Sequence, residues 1–175
     1  RQLAEIALKN KIRFIYASSA ATYGAGSLGY DDNEKQIEKL CPLNPYGFSK
    51  HLFDVHAKQN GWLKKICGLK FFNVYGPNEY HKNGQHSVVL SAYRQIINSG
   101  SVKLFKSYRD EFKDGEQKRD FVYVKDICNI IDWLVKKPKV NGIYNLGSGK
   151  ARSFNDLAKA TFAGLNKTPV IEYIE

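Results

Sequence analysis

Short apolar runs alternate with helix-period segments along almost the whole chain, and this alternation narrows the possible folds more than any other feature. Leu3, Ala4, Ile6, Ala7 and Leu8 recur at helical spacing, with Asn10 as a stop. Residues 14–17 then read as a short buried strand. The pattern predicts a loop over 24–44 containing one helical turn. It predicts a helix over 46–60 that turns Leu52, Phe53, Val55 and Ala57 inward and ends at Gly61. A strand over 66–72 and a loop over 73–85 follow. Further on it predicts a helix over 87–98, strands over 102–105 and 120–124 around a charged loop, and a helix over 127–136 stopped by Pro138. The last expected elements are a strand over 142–146, a helix running to about 165, and a strand over 170–174. Ser153-Phe-Asn-Asp156 is a capping box that opens that last helix. Strands that alternate with helices in this way predict an α/β fold with a mostly parallel sheet.

Composition removes several classes of function. The 175 residues suffice for one ordinary domain, and 43% of them are hydrophobic, which excludes disorder. No apolar run is long enough to span a bilayer, and no basic stretch followed by an apolar one reads as a secretory signal, so a cytoplasmic protein without a membrane partner is expected. Cys41, Cys67 and Cys128 are widely spaced and form no C-x-x-C, which fits reduced thiols and no metal site. The net charge of +10 fits a solvated lysine surface or the attraction of an anionic ligand such as a nucleotide diphosphate. The Lys and Arg residues are scattered and no nucleic-acid-binding signature is present, so no nucleic-acid partner is expected. The chain opens Arg1-Gln-Leu-Ala-Glu-Ile-Ala-Leu and contains no Met, so it is expected to be entered in mid-helix and to lack the N-terminal part of its fold. A parallel sheet without its first strands would expose apolar faces and edges, and such a piece is expected to be unstable alone.

The strongest local chemical signal is Tyr46-Gly-Phe-Ser-Lys50. Residues at i and i+4 share a helix face. An ammonium beside a phenol stabilises the phenolate, and such a pair can take a proton from a sugar hydroxyl while hydride departs. Alone, the spacing favours an ordinary amphipathic helix. It is preceded, however, by Ser18-Ser19-Ala-Ala-Thr-Tyr23-Gly24 after a strand, and ligands of open α/β sheets bind at the C-terminal ends of strands. Ser19 is placed to hydrogen-bond and orient a reacting hydroxyl. Gly24-Ala-Gly26-Ser-Leu-Gly29 matches G-x-G-x-x-G on paper. No buried helix follows it, so it reads as a loop and not as a dinucleotide fingerprint.

The ordered set of Ser19, Tyr46 and Lys50 resembles the extended short-chain dehydrogenase/reductase family of NAD(P)-dependent epimerases and dehydratases. Phe71-Phe-Asn73-Val74-Tyr-Gly-Pro77, Arg119-Asp-Phe-Val-Tyr-Val124-Lys-Asp126 and Tyr144-Asn-Leu-Gly-Ser-Gly149 are similar to later segments of that family, so the resemblance covers nearly the whole chain. It implies an incomplete Rossmann-like, doubly wound parallel sheet with a smaller interleaved substrate domain. Residues 1–75 would belong to the cofactor half, and 76–175 would supply substrate-binding segments interleaved with the remaining Rossmann elements. NADP or NAD would be tightly bound, one per subunit, and the complete protein would be a homo-oligomer acting on a nucleotide sugar.

Three stretches, 16–24, 42–54 and 73–82, are similar to the branch of the family that inverts C6″ of ADP-glycero-manno-heptose for lipopolysaccharide precursors. That likeness implies Ser19, Tyr46, Lys50 and a second acid/base, Lys82, as catalytic residues. Tyr46, Lys50 and Val74 would contact the cofactor, and Ser19, Asn73, Phe105 and Arg119 the substrate. Lys82 also suits a solvated loop lysine, Arg119 a surface pair with Asp120, and Phe105 plain core packing. The chain departs from the branch at Asn83-Gly-Gln-His86, at Ser91 and in the long charged loop 106–118, which leaves the sugar-side contacts open. Two alternatives remain. One is another nucleotide-sugar enzyme of the family, a UDP-hexose 4-epimerase or a dehydratase, although Ala20-Ala21 after Ser19 argues against the latter. The other is a non-catalytic binding protein on the same fold.

Overall fold

The computed structural model describes residues 1–175. In chain order its elements are α1 (Gln2–Lys9), β1 (Ile15–Ser19), α2 (Pro45–Gln59), β2 (Cys67–Phe71), β3 (Asn73–Tyr75), α3 (Val88–Ser99), β4 (Val102–Phe105), β5 (Lys118–Tyr123), α4 (Val124–Val135), β6 (Gly142–Leu146), β7 (Ala151–Ser153), α5 (Phe154–Gly164) and β8 (Ile171–Ile174). Short 3₁₀ helices occupy Ala20–Tyr23, Glu34–Lys39 and Trp62–Lys64. The expected α/β alternation is borne out, and every strand pair but one is parallel. No helix is long and apolar enough to cross a membrane.

The chain forms two compact units, Arg1–Phe72 with Asp126–Leu146, and Asn73–Lys125 with Gly147–Glu175. The first contains a parallel sheet in the order β1-β2-β6. Its central strand, Cys-Gly-Leu-Lys-Phe, is buried along almost its whole length. Ile37, Ala57, Leu63, Ile66 and Ile143 form the core of this unit, with Phe14, Tyr16, Phe53 and Trp62 packed around them. Gly68 lies opposite Tyr16 across the strand pair. A Cβ there would come within 2.5 Å of the Tyr16 ring, so the glycine leaves the space the ring fills.

Helix α2 buries the expected face except at Leu52. Ala57 is buried and Phe53 and Val55 pack against the core as expected, but Leu52 is 53% exposed, and the polar His51 and Asp54 share the inward side. Polar partners beneath the helix, described below, outweigh the apolar period at Leu52. The helix opens as a helix should. Asn44 accepts from the Gly47 N–H at 2.8 Å, with Pro45 in the first turn. Gly61, just beyond the helix end, takes the left-handed conformation. The loop expected over 24–44 holds a 3₁₀ helix at Glu34–Lys39, and the G-x-G-x-x-G stretch is turn and loop, as expected.

In the second unit, β3 and β5 pair in parallel and β5 pairs antiparallel with β7, while β4 pairs with β8. The loop expected over 73–85 therefore begins as a strand, because Asn73–Tyr75 finds Phe121–Tyr123 as a partner distant in sequence. Ala92, Ile96, Val102, Leu104, Leu157, Ala158 and Phe162 form the core of this unit. The capping box is present: Ser153 Oγ accepts from the Asp156 N–H at 3.0 Å, and Asp156 Oδ2 accepts from the Ser153 N–H at 3.3 Å. Ser153→Ala removes the hydroxyl half of the box. It is expected to cost about 1 kcal/mol, seen as a lower denaturant midpoint with unchanged slope.

Candidate functional site

In the first unit, β1 ends at Ser19, which is 7% exposed. The hydroxyl oxygen of Ser19 accepts from the Ala21 N–H at 3.1 Å, which orients the side chain and leaves its O–H free to donate. Tyr46 stands in the first turn of α2, 58% exposed, with the Lys50 ammonium 5.9 Å from its ring centroid. The Lys50 Nζ also donates to the Ala17 carbonyl of β1 at 3.0 Å, tying the helix to the strand that carries Ser19. Gly47 makes the approach possible. A Cβ at that position would lie 2.7 Å from the Ala21 carbonyl oxygen, against backbone that cannot yield cheaply. A phenol and an ammonium on one accessible helix face, beside a buried serine at a strand end, suit a hydroxyl-rich, anionic dinucleotide cofactor.

Sequence reasoning missed a buried layer beneath these residues. Asp54, one turn beyond Lys50 on α2, accepts from Tyr16 Oη at 3.0 Å, Ser18 Oγ at 2.6 Å and Lys70 Nζ at 3.2 Å. Asp54 is 0% and Lys70 1% exposed. Lys70 also donates to Thr22 Oγ1 at 2.5 Å, and Thr22 donates to the Ser19 carbonyl at 2.8 Å. The Lys70 ammonium lies 4.8 Å from the Tyr23 ring centroid, and Tyr23 donates to Asn145 Oδ1 at 2.7 Å. Ser18, Lys70 and Asn145 are register partners across β1, β2 and β6, so this polar row crosses the whole sheet. Burial lowers the Lys70 pKa and Asp54 draws it back up. Burial, followed by the Asp54 charge, raises the Tyr16 phenol, so Tyr16 stays a protonated donor. His51, beside Lys50, is also buried; burial lowers its pKa, and Nδ1 has no partner. One sequence signal pointed to this layer. Lys70 is a lone cation inside an apolar strand, and such a charge is almost never fully buried unless paired.

The second unit carries the other expected site residues. Asn73 is exposed and Val74 half-buried on β3. Lys82 is exposed, with its ammonium 3.9 Å from the Glu79 carboxylate. Glu79 organises that loop: it accepts from the Gly76 N–H at 3.1 Å, from the Ser87 N–H at 2.6 Å and from Ser87 Oγ at 2.8 Å. Phe105 is 68% exposed, which removes the core-packing reading. The reading of Arg119 as a partner of Asp120 also fails. Arg119 donates to the Lys118 carbonyl at 2.7 Å and lies over the Phe154 ring. Asp120 accepts instead from the Ser148 and Gly149 N–H groups, both at 2.8 Å, because the turn after β6 presents unpaired donors to it.

Residues 1–147 match the model of the NAD dependent epimerase/dehydratase family. The chain belongs to that family. It is 52% identical over its full length to the ADP-L-glycero-D-manno-heptose-6-epimerase of Nitratidesulfovibrio vulgaris strain DP4, of which it covers 54%. The crystal structure of Helicobacter pylori ADP-L-glycero-D-manno-heptose-6-epimerase matches 98% of this chain and 51% of its own, with a TM-score of 0.82 and 34% identity. A Thermus thermophilus UDP-glucose 4-epimerase in complex with NAD matches 97% of the chain and 54% of its own, at a TM-score of 0.72 and 25% identity. The chain thus spans about half the length of the relatives it matches. Membership of this family makes a nicotinamide the cofactor class that goes with the chain.

The packing of α2 against Ala21 and the hydrogen bonds of the Glu79 loop each lead to a prediction. Gly47→Ala is expected to push the first turn of α2 away from Ala21 and cost about 1–3 kcal/mol of stability, seen as a lower denaturant midpoint. Glu79 is pushed up by burial, but the Ser87 and Gly76 donors and Lys82 outweigh this and hold it below its ordinary 4.5. A depressed carboxylate stabilises the fold above its unfolded pKa and loses that contribution as pH falls through its folded pKa. Amide hydrogen exchange at Gly76 and Ser87 is therefore expected to stay slow at neutral pH and, after correction for intrinsic rates, to accelerate only below about pH 4.5.

Proposed function

We propose that the complete protein carrying this chain epimerises ADP-glycero-manno-heptose at C6″, converting the D-glycero form to the L-glycero form through a transient ketone. One observation carries this reading. The Tyr46 phenol and Lys50 ammonium share one face of α2, whose first turn packs on the segment that follows the buried Ser19. The 52% identity to a heptose 6-epimerase along the whole chain supports the choice of sugar.

Ser19 would orient the C6″ hydroxyl, and Tyr46, with Lys50 beside it, would take the hydroxyl proton. Bound nicotinamide, NADP or NAD and one per subunit, would accept hydride from C6″ and return it. Return to the other face of the ketone needs a proton from a second group, and Lys82 is proposed for that role. Asn73, Phe105 and Arg119 would contact the substrate, where the guanidinium suits phosphate oxygens, and Val74 would neighbour the cofactor. The unit containing β1, β2 and β6 would hold the nicotinamide end of the cofactor. We further propose a homo-oligomeric enzyme of the cytoplasm that feeds lipopolysaccharide synthesis.

The test is proton NMR of ADP-D-glycero-manno-heptose incubated with the complete protein. Conversion to the L-glycero epimer is expected without added cofactor. No conversion, even with NADP and NAD supplied, would move the substrate to another nucleotide sugar. Tyr46→Phe and Lys82→Ala are each expected to lower turnover about 10²- to 10⁴-fold. A fully active Lys82→Ala would end the two-base proposal and favour a 4-epimerase.

A further inference from the structure

We propose that Asp54 and Lys70 form a buried clamp that sets the spacing between Ser19 and the Tyr46–Lys50 pair, making both of them positioning residues for the redox step. This rests on the reading of Ser19, Tyr46 and Lys50 given above.

The argument begins with where the two charges lie. Asp54 follows Lys50 by four residues and Tyr46 by eight, so all three lie along one side of α2. Its two carboxylate oxygens reach β1 at alternate residues, Oδ1 to Tyr16 and Oδ2 to Ser18. Between them, the Ala17 carbonyl accepts from Lys50. Three consecutive residues of β1 are thus held by two side chains one turn apart on α2, and the next residue along the strand is Ser19. Lys70 holds the same point from the other side. It reaches the Asp54 carboxylate and Thr22, and Thr22 donates to the carbonyl of Ser19 itself. The serine backbone is bracketed between a bond from its preceding neighbour to Asp54 and a bond from its own carbonyl through Thr22 to Lys70.

Stability alone gives no reason for charges at these positions. Apolar residues of similar volume would avoid the desolvation penalty and often serve as well or better. What apolar contacts lack is direction. Charge-assisted hydrogen bonds fix distance and angle, and in a dry interior they hold that geometry firmly. A helix that carries an acid/base pair and a strand that carries its orienting serine need that kind of register, since a misplacement of about 1 Å can cost 10²-fold in rate.

The experiment separates positioning from stability. Asp54→Leu with Lys70→Met replaces the pair with apolar volume in the complete protein, and Ser18→Ala removes a single bond while leaving both charges paired. Melting temperature, kcat and KM are measured for each, and crystal structures of the variants are compared with the wild type. The double variant is expected to stay folded at the assay temperature but melt lower, because Tyr16 and Ser18 lose their acceptor. It is expected to lose about 10²-fold in kcat with little change in KM and to show Ser19 displaced from α2. Ser18→Ala, which asks little of the fold, is expected to lower kcat by a smaller factor in the same direction. A double variant with wild-type kcat, or Ser19 unmoved in both variants, would overturn the clamp. If the wild type turns over no heptose nucleotide, the proposed function fails instead. The crystallographic comparison then still decides whether the pair sets the position of Ser19.

Discussion

The Asp54 carboxylate and the Lys70 ammonium meet at 3.2 Å inside the first unit, and neither reaches water. Removing one partner from such a pair costs about 3–5 kcal/mol, because the survivor is left charged and buried. The fold accepts that exposure to failure because the surrounding polar atoms are satisfied. Tyr16, Ser18 and Thr22 each contribute a hydrogen bond, and the Tyr23 ring faces the ammonium. The inward face of α2, the path of β1 and the presence of a cation in the central strand all follow from this arrangement. Leu52 is displaced to the outside because Asp54 claims the inside.

A second carboxylate plays a comparable local role in the other unit. Glu79 gathers two backbone N–H groups and the Ser87 hydroxyl, and Ser87 in turn caps α3 by accepting from the Leu90 N–H at 3.2 Å. One acidic side chain therefore fixes both the start of a helix and the loop that presents Lys82. Asp120 closes the turn after β6 in the same manner. Each is a buried or half-buried acceptor that answers backbone donors which have no place in a sheet or helix. The chemistry proposed for the chain is carried by residues that are themselves exposed or at strand ends, set on segments that these acceptors hold still.

Much of this was legible in the residues because it is governed by local spacing. The tyrosine and lysine four apart, the box from Ser153 to Asp156, the glycine after α2 and the alternation of strands with helices all depend on periods of 3.6 and 2 that the chain displays directly. The false glycine fingerprint could be dismissed on the same ground, since no buried helix follows Gly29. Where the reading went astray, the deciding partner was remote. Asn73–Tyr75 is a strand only because residues 121–123 lie beside it, and the period of α2 misassigned Leu52 because hydrophobicity does not register a buried cation sixteen positions beyond Asp54.

The sequence by itself determined the class of fold, the family it resembles and the helix on which the proposed acid/base pair stands, since each is written in residue types at short, fixed intervals. Tertiary structure alone decided that Asp54 would face Lys70, that Gly47 would press against Ala21, that Arg119 would turn from Asp120 to the Phe154 ring, and that Phe105 would stay out of the core. The reason is physical. These contacts arise from the parallel register that sets Ser18 beside Lys70 and Lys70 beside Asn145, and register is a property of strands brought together from distant parts of the chain.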